Sequence, residues 1–82
     1  MATYKLEIKK EFGQFHHRLT APTDPVPSSV FVGPTGDLRG LLATVEQSLE
    51  ARGVSAADAV VFRHVAYGTR RDLRAAVRSA VY

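Results

Sequence analysis

The sequence predicts one small α+β domain, a two-layer sandwich in which two helices pack on one face of a mixed β-sheet. Two kinds of pattern predict it. Charged and apolar residues alternate near the N-terminus, as in a half-buried strand, and apolar residues recur every three to four positions in two later segments, as in amphipathic helices. A short apolar run between those segments adds a strand. The 82 residues suffice for a single domain with a thin core, spanning 1–82, with elements in the order β-β-(β)-α-β-α.

The first two strands form a predicted hairpin. Charged side chains occupy every second position of its first strand, from Lys5 to Glu11, and most of the positions between them are apolar. The dipeptide Gly13–Gln14 suits a two-residue turn with glycine first. This turn would place Phe12 opposite Phe15 at the end of one apolar face. We therefore expect Phe12 and Phe15 to be buried on the side of the helices.

A loop and a short strand follow the hairpin. Three of the chain's four prolines lie in Ala21–Ser29, which indicates an extended loop. Val30–Val32 suits a short strand, and Gly33–Gly36 suits a turn before the next helix. That turn lacks the Lys-Ser/Thr ending of a phosphate-binding loop, and Asp37 beside it would repel an anion. We therefore interpret it as a turn followed by a helix cap.

The first helix is predicted over Asp37–Arg52. Its apolar stripe consists of Leu38, Leu41, Leu42, Val45 and Leu49. Thr35 or Asp37 suits the N-cap, and Gly53 follows the end of the helix, where a left-handed residue is favoured. The outer face of this helix includes two acidic residues, Glu46 and Glu50.

A further strand and a second helix complete the chain. Ala59–Tyr67 is predicted as one continuous strand, and its apolar run Val60–Phe62 suits a central position in the sheet. Because apolar residues occupy both sides of this strand, the sheet face away from the helices should be partly apolar. Thr69–Asp72 fits a capping box with Asp in place of Glu, so the last helix should run from about Arg70 to near the C-terminus.

Several classes of function lack their sequence signatures. The chain has no cysteine, which excludes disulfides and thiolate metal sites. It has no apolar run long enough to span a membrane and begins in a strand pattern rather than a signal peptide, so we expect a cytoplasmic protein without a membrane partner. His16 and His17 are adjacent on a strand and point to opposite faces, so they cannot share a metal ion. No serine lies in a nucleophile-elbow context. We predict no catalytic residue, cofactor or metal site.

The main functional signal is a stripe of arginines on the last helix. Four of the eight arginines share about a quarter of that helix's circumference, namely Arg70, Arg71, Arg74 and Arg78. Leu73 and Val77 fall on a different side. Residues 1–58 carry six basic and seven acidic side chains, whereas residues 59–82 carry five basic, including Arg63, and one acidic. The excess positive charge is therefore confined to the end of the chain.

This stripe has two interpretations. It is either a solvated face stabilised by the helix dipole or a contact surface for an acidic partner, formed by Arg63, Arg70, Arg71, Arg74 and Arg78. The second interpretation predicts a small non-enzymatic protein-interaction domain, such as an adaptor, inhibitor or regulatory subunit. A nucleic-acid-binding protein that uses the same helix is the alternative, and a small enzyme is the third possibility. Because the core is thin and carries no disulfide, we also expect a homodimer through the sheet face or an edge strand.

Overall fold

The computed structural model describes residues 2–23 and 31–80. These residues form the predicted α+β architecture, with a five-stranded mixed sheet and two helices packed against it. The elements in chain order are β1 (Thr3–Glu11), β2 (Gln14–Thr20), β3 (Val32–Thr35), α1 (Leu38–Ala51), β4 (Ala59–Phe62), β5 (Val65–Tyr67) and α2 (Arg70–Ala80). The strands lie in the order β3-β2-β1-β4-β5. Neighbours pair antiparallel except β1 and β4, which pair parallel.

The hairpin of β1 and β2 is confirmed, but its turn and register differ from the prediction. Glu11 pairs with Gln14, so the turn residues are Phe12 and Gly13, with φ angles of 53° and 76°. Two-residue hairpin turns with positive φ at both central positions favour glycine at the second, and this preference moves the turn by one residue. Phe12 is 96% exposed, so its predicted burial opposite Phe15 is wrong. Phe15 itself packs against the core.

The third strand covers Val32–Thr35 instead of the predicted Val30–Val32, whose first residue lies outside the described ranges. Its last three residues, predicted as part of a turn, belong to the strand that pairs with β2 through an irregular register. Gly33 has a φ of 151°, and a Cβ atom there would lie 2.8 Å from the carbonyl oxygen of Phe15. The strand therefore requires glycine at this close approach of two backbones. Most of the predicted loop Ala21–Ser29 also lies outside the described residues.

Both ends of α1 are closed by the residues that the sequence predicts. The carboxylate of Asp37 accepts a hydrogen bond from the Gly40 amide at 2.7 Å, which satisfies one of the free N–H groups of the first turn. At the other end Gly53 has a φ of 70°. The amides of Gly53 and Val54 each bond back to a carbonyl of the last turn at 3.0 Å. This is the Schellman arrangement, which favours glycine in the left-handed position.

The predicted strand Ala59–Tyr67 is in fact two strands. β4 and β5 pair antiparallel across a turn at Arg63 and His64, whose φ angles are 53° and 69°. The turn contains none of the glycine, asparagine or aspartate residues that usually mark such turns, so the apolar pattern looks continuous in the sequence. Val61 and Ala66 pair on the open face of the sheet. The apolar residues on the face towards the helices are Val60, Phe62 and Tyr67.

The core lies between this face of the sheet and the two helices. Its buried apolar residues are Leu6, Leu19, Leu41, Val45, Leu49, Val54, Val60, Phe62, Leu73 and Val77. One titratable side chain, His17 on β2, is buried with them. None of the helices in the described part of the chain is long and apolar enough to span a membrane.

Candidate interaction surface

The position of α2 determines which of its side chains face outward. The helix buries Leu73 and Val77 against the sheet and α1, whereas its arginines are exposed or, at Arg70, half-buried. The Thr69 hydroxyl accepts a hydrogen bond from the Asp72 amide at 3.2 Å and so caps the first turn. Asp72 in the first turn and Arg78 in the last carry charges that complement the helix dipole. The cap and the two buried residues together fix the rotation of α2 and hence its arginine side.

Two of the predicted arginines connect α2 to α1. The guanidinium of Arg70 lies 3.1 Å from Glu46 and 3.7 Å from Glu50, and it donates to the Val54 carbonyl oxygen at 2.9 Å. Arg74 lies 3.1 Å from the other carboxylate oxygen of Glu46. Partly exposed ion pairs of this kind each stabilise a fold by at most about 1 kcal/mol. Their main consequence is that both oxygens of Glu46 are occupied by arginines of the same chain.

Three other arginines on this side have no anionic partner among the described residues. The side chains of Arg71 and Arg78 on α2 and of Arg39 on α1 are exposed and form no ion pair or hydrogen bond there. A groove runs between the two helices, and its lining residues are Leu38, Arg39, Leu42, Ala43, Glu46, Arg74 and Arg78. We call the four arginines at positions 39, 71, 74 and 78 the arginine face.

Arg39 is not among the residues predicted from the sequence. It precedes Glu46 by seven residues, or about two helical turns, and therefore lies on the same stripe of α1. Helical periodicity alone groups it with acidic neighbours. Its proximity to the groove and to Arg78 depends on the antiparallel packing of α1 and α2, which has no local signal in the sequence.

Arg63 lies apart from the arginine face. It occupies the turn between β4 and β5, where its guanidinium carbon is 5.8 Å from the centroid of the Phe62 ring. It lines a different groove, next to the end of β4, together with Lys5 and Glu7. The structure therefore brings three of the five predicted arginines, Arg70, Arg74 and Arg78, to the helix pair. It places Arg71 beside them on α2 but outside the lining of the groove, and Arg63 elsewhere.

The open face of the sheet is occupied by charged side chains of the hairpin. Arg18 lies 2.6 Å from Glu7, and Lys9 lies 3.1 Å from Glu11. The ring of Phe31 lies beside two of these cations, with its centroid 4.3 Å from Lys9 Nζ and 4.6 Å from the Arg18 guanidinium carbon. Such cation–π contacts stabilise exposed sites by about 0.5–1 kcal/mol each. This part of the face is polar and internally paired, as the alternating charges of the hairpin predict, and the apolar residues of the open face are those of β4 and β5.

Among the described residues His17 is the one buried titratable group, and its contacts are those of a core residue. Its Nε2 atom lies 2.7 Å from the Ser48 hydroxyl on α1, and burial lowers the pKa of the imidazole from 6.5. The other ring nitrogen has no hydrogen-bond partner in the described part of the protein. A catalytic serine–histidine pair needs a group that orients the imidazole through that second nitrogen. Within the described ranges, no group of three or more His, Cys, Asp or Glu side chains could hold a metal ion.

Comparison with known proteins adds no relative. The chain matches no protein-family model, and neither a curated protein nor a solved structure is significantly similar to it.

Proposed function

We propose that this chain is a small protein-interaction domain that binds an acidic protein partner through the arginine face. One observation carries the proposal. Arg39, Arg71 and Arg78 are exposed cations without a counter-charge among the described residues, whereas Arg70 and Arg74 are paired with Glu46. A cluster of unpaired arginines attracts carboxylates and accelerates association with an acidic partner.

The ion pairs leave fewer free arginines than the five predicted from the sequence as site residues. Arg70 also donates to a backbone carbonyl, so its main role is to hold α1 against α2. Arg63 is separated from the groove, so we do not include it in the proposed binding surface. Arg39 lines the groove and is included. Arg74 belongs to both groups because it pairs with Glu46 and also lines the groove.

Nucleic acid remains the competing partner class for the same surface. Within the described ranges, the residues that line the groove include no aromatic side chain. Base stacking on aromatic rings is the usual source of single-strand binding, and sequence readout on duplexes requires an element that enters a groove of the DNA. The absence of aromatic rings in the lining favours a protein partner.

The proposal is tested with two triple variants that each lose three positive charges, one from the arginine face and one from other parts of the surface. One triple variant, R39Q/R71Q/R78Q, removes the unpaired cations of the arginine face. The matched control, K5Q/K10Q/R63Q, gives the same net charge and leaves that face intact. The probes are labelled acidic peptides and oligonucleotides of equal charge, with binding followed by fluorescence polarisation at several salt concentrations.

We expect the arginine-face variant to lose acidic-peptide binding by about tenfold or more, and the control to retain it, because each charge-assisted contact contributes on the order of 1 kcal/mol or more. Equal losses in both variants would show that only net charge matters. Tighter binding of oligonucleotides than of peptides, lost in the first variant, would assign the surface to nucleic acid instead.

Self-association and a cytoplasmic location remain predictions. The two edge strands are β3, which contains Pro34, and β5, which has three residues. Proline and short length both oppose edge-to-edge pairing. Exposed Val65 on β5 is the apolar side chain through which a dimer would form on that edge. Sedimentation velocity at increasing concentration decides between monomer and dimer, and cell fractionation tests the location.

A further inference from the structure

The ion pairs between the helices form a ladder that stops before the end of α2. Arg70 contacts Glu50 and Glu46, and Arg74 contacts Glu46, so α1 and α2 run antiparallel. Arg78 is the next residue of this series, one helical turn beyond Arg74. Continuing the ladder would require an acidic residue on α1 about one turn before Glu46. The chain has Leu42 and Ala43 there instead.

The part of the groove beyond the ladder therefore combines positive charge with an apolar floor. Leu38 and Leu42 are half-buried and form the floor, and Arg39 and Arg78 lie on the rim. The one acidic residue in the lining, Glu46, already has both of its oxygens within 3.1 Å of an arginine. An incoming carboxylate would find two cations there without a competing acid in the described lining.

We propose that this end of the groove binds an acidic amphipathic helix of a partner protein. A carboxylate of that helix lies between Arg39 and Arg78 and forms the ion pair that is missing at this end of the series. An apolar side chain on the same face of the partner helix, three or four residues away, packs on Leu38 and Leu42. This inference rests on the proposed function and deepens it, because it names the chemistry of the partner segment and the place where it binds.

The apolar floor distinguishes this occupant from a simple anion. Phosphate or a polyanion would pair with the arginines but would leave Leu38 and Leu42 in contact with water. A helix that presents an acid and an apolar residue on one face satisfies both features at once, as in other helix-in-groove complexes. The exposed arginines at the rim then orient the partner helix in the groove, and the apolar contact makes the groove select this helix over other acidic sequences.

The probes are three peptides of equal charge, each about 18 residues or five helical turns long. The first has Glu and Leu on one helix face, the second has the same composition with Leu distributed around the helix, and the third keeps the glutamates of the first and replaces each Leu with Gln. The decisive variant is A43E, which places a carboxylate in the groove at an exposed position. This carboxylate belongs to the chain itself and competes with the partner's carboxylate for the arginines of the groove. The matched control is Q47E, which adds the same charge to an exposed site of α1 outside the groove lining.

We expect the first peptide to bind about tenfold more tightly than the other two, since one buried apolar contact of this size corresponds to roughly that factor. A43E should weaken its binding by about tenfold or more, whereas Q47E should change it by less than about threefold. Thermal unfolding followed by circular dichroism checks that both variants fold, and glutamate at an exposed helical position keeps helix propensity.

The failures of the two proposals are distinguishable. If all three peptides bind equally and A43E behaves like Q47E, the arginine face still binds acidic partners but the helix-in-groove proposal is overturned. The same conclusion follows if inorganic phosphate competes as effectively as the first peptide. If none of the three peptides binds, the proposed function itself fails.

Discussion

Buried His17 predicts that the protein loses stability when the pH falls below the range of an ordinary histidine. The imidazole is 1% exposed, its Nε2 atom lies 2.7 Å from the Ser48 hydroxyl, and burial lowers its pKa from 6.5. Charging the ring in the folded state would place a cation among apolar side chains. No carboxylate pairs with it in the described part of the chain.

The sign of the pH dependence of stability is set by whether the folded or the unfolded state protonates His17 at the higher pH. In the unfolded chain His17 titrates near 6.5, whereas in the folded protein it titrates at a lower pH. Between these two values the unfolded state binds more protons, so the free energy of unfolding falls as the pH falls. The contribution of His17 is complete above pH 6.5 and is progressively lost below it, until the folded pKa is reached. A single proton limits the slope to about 1.4 kcal/mol per pH unit.

Urea unfolding followed by circular dichroism, from about pH 8 to about pH 5 at constant ionic strength, measures this slope. His17→Gln keeps a hydrogen-bonding group near Ser48 but cannot titrate, so its stability should be lower overall and nearly independent of pH in this window. His64→Asn is the matched control, since it removes an exposed histidine from a turn residue with positive φ that asparagine tolerates. A wild-type slope near zero below pH 6.5, or a slope that persists in His17→Gln, would refute the reasoning.

Three substitutions test the packing and the backbone, each by urea unfolding. Leu41→Ala removes a fully buried side chain and should cost about 2–5 kcal/mol, and a loss below about 1 kcal/mol would contradict its place in the core. Asp37→Ala removes the carboxylate that caps the Gly40 amide and should cost about 1 kcal/mol, whereas Asp37→Asn should retain most of the stability. Gly33→Ala places a Cβ 2.8 Å from the Phe15 carbonyl oxygen at a φ of 151° and should cost more than about 1 kcal/mol, so an unchanged midpoint would count against this close approach.

Both helices of the fold were predictable because their signals are local. The apolar stripe, the N-cap at Asp37, the C-terminal Gly53 and the Thr69 cap each act within a few residues. The alternating pattern of the first strand also predicts its pairing with β2. What such patterns leave open is register, because a strand pattern is compatible with more than one turn and a shift of the turn changes every cross-strand pair.

The first turn, which is predicted one residue too late, and the second turn, which is not predicted at all, have a common physical cause. Both place a residue other than glycine in a left-handed conformation, at Phe12 in the first hairpin and at Arg63 and His64 in the second. Turn prediction relies on residues that adopt positive φ readily, and neither Phe12 nor Arg63 belongs to that group. The sequence pattern therefore gives no signal for the second hairpin and predicts the first turn one residue too late.

The candidate site was predictable as a stripe but not as a set of free charges. Helical periodicity places the arginines of α2 together, yet it cannot show that Glu46 neutralises Arg70 and Arg74. That pairing depends on the antiparallel packing of two helices separated by β4 and β5 in the sequence. The same packing brings Arg39 to the groove, so tertiary structure both removes and adds members of the predicted site.

The two interpretations of the arginine stripe now apply to different residues. Arg70 and Arg74 are explained by the fold, since their contacts with Glu46 tie the helices together. Arg39 and Arg78 are not explained in this way, because they line one groove as like charges and no acid among the described residues relieves their repulsion. A glutamate at the position of Ala43 would relieve it with no cost in helix propensity beyond a few tenths of a kcal/mol. Under the proposed function, an acidic partner supplies the missing counter-charge at Arg39 and Arg78.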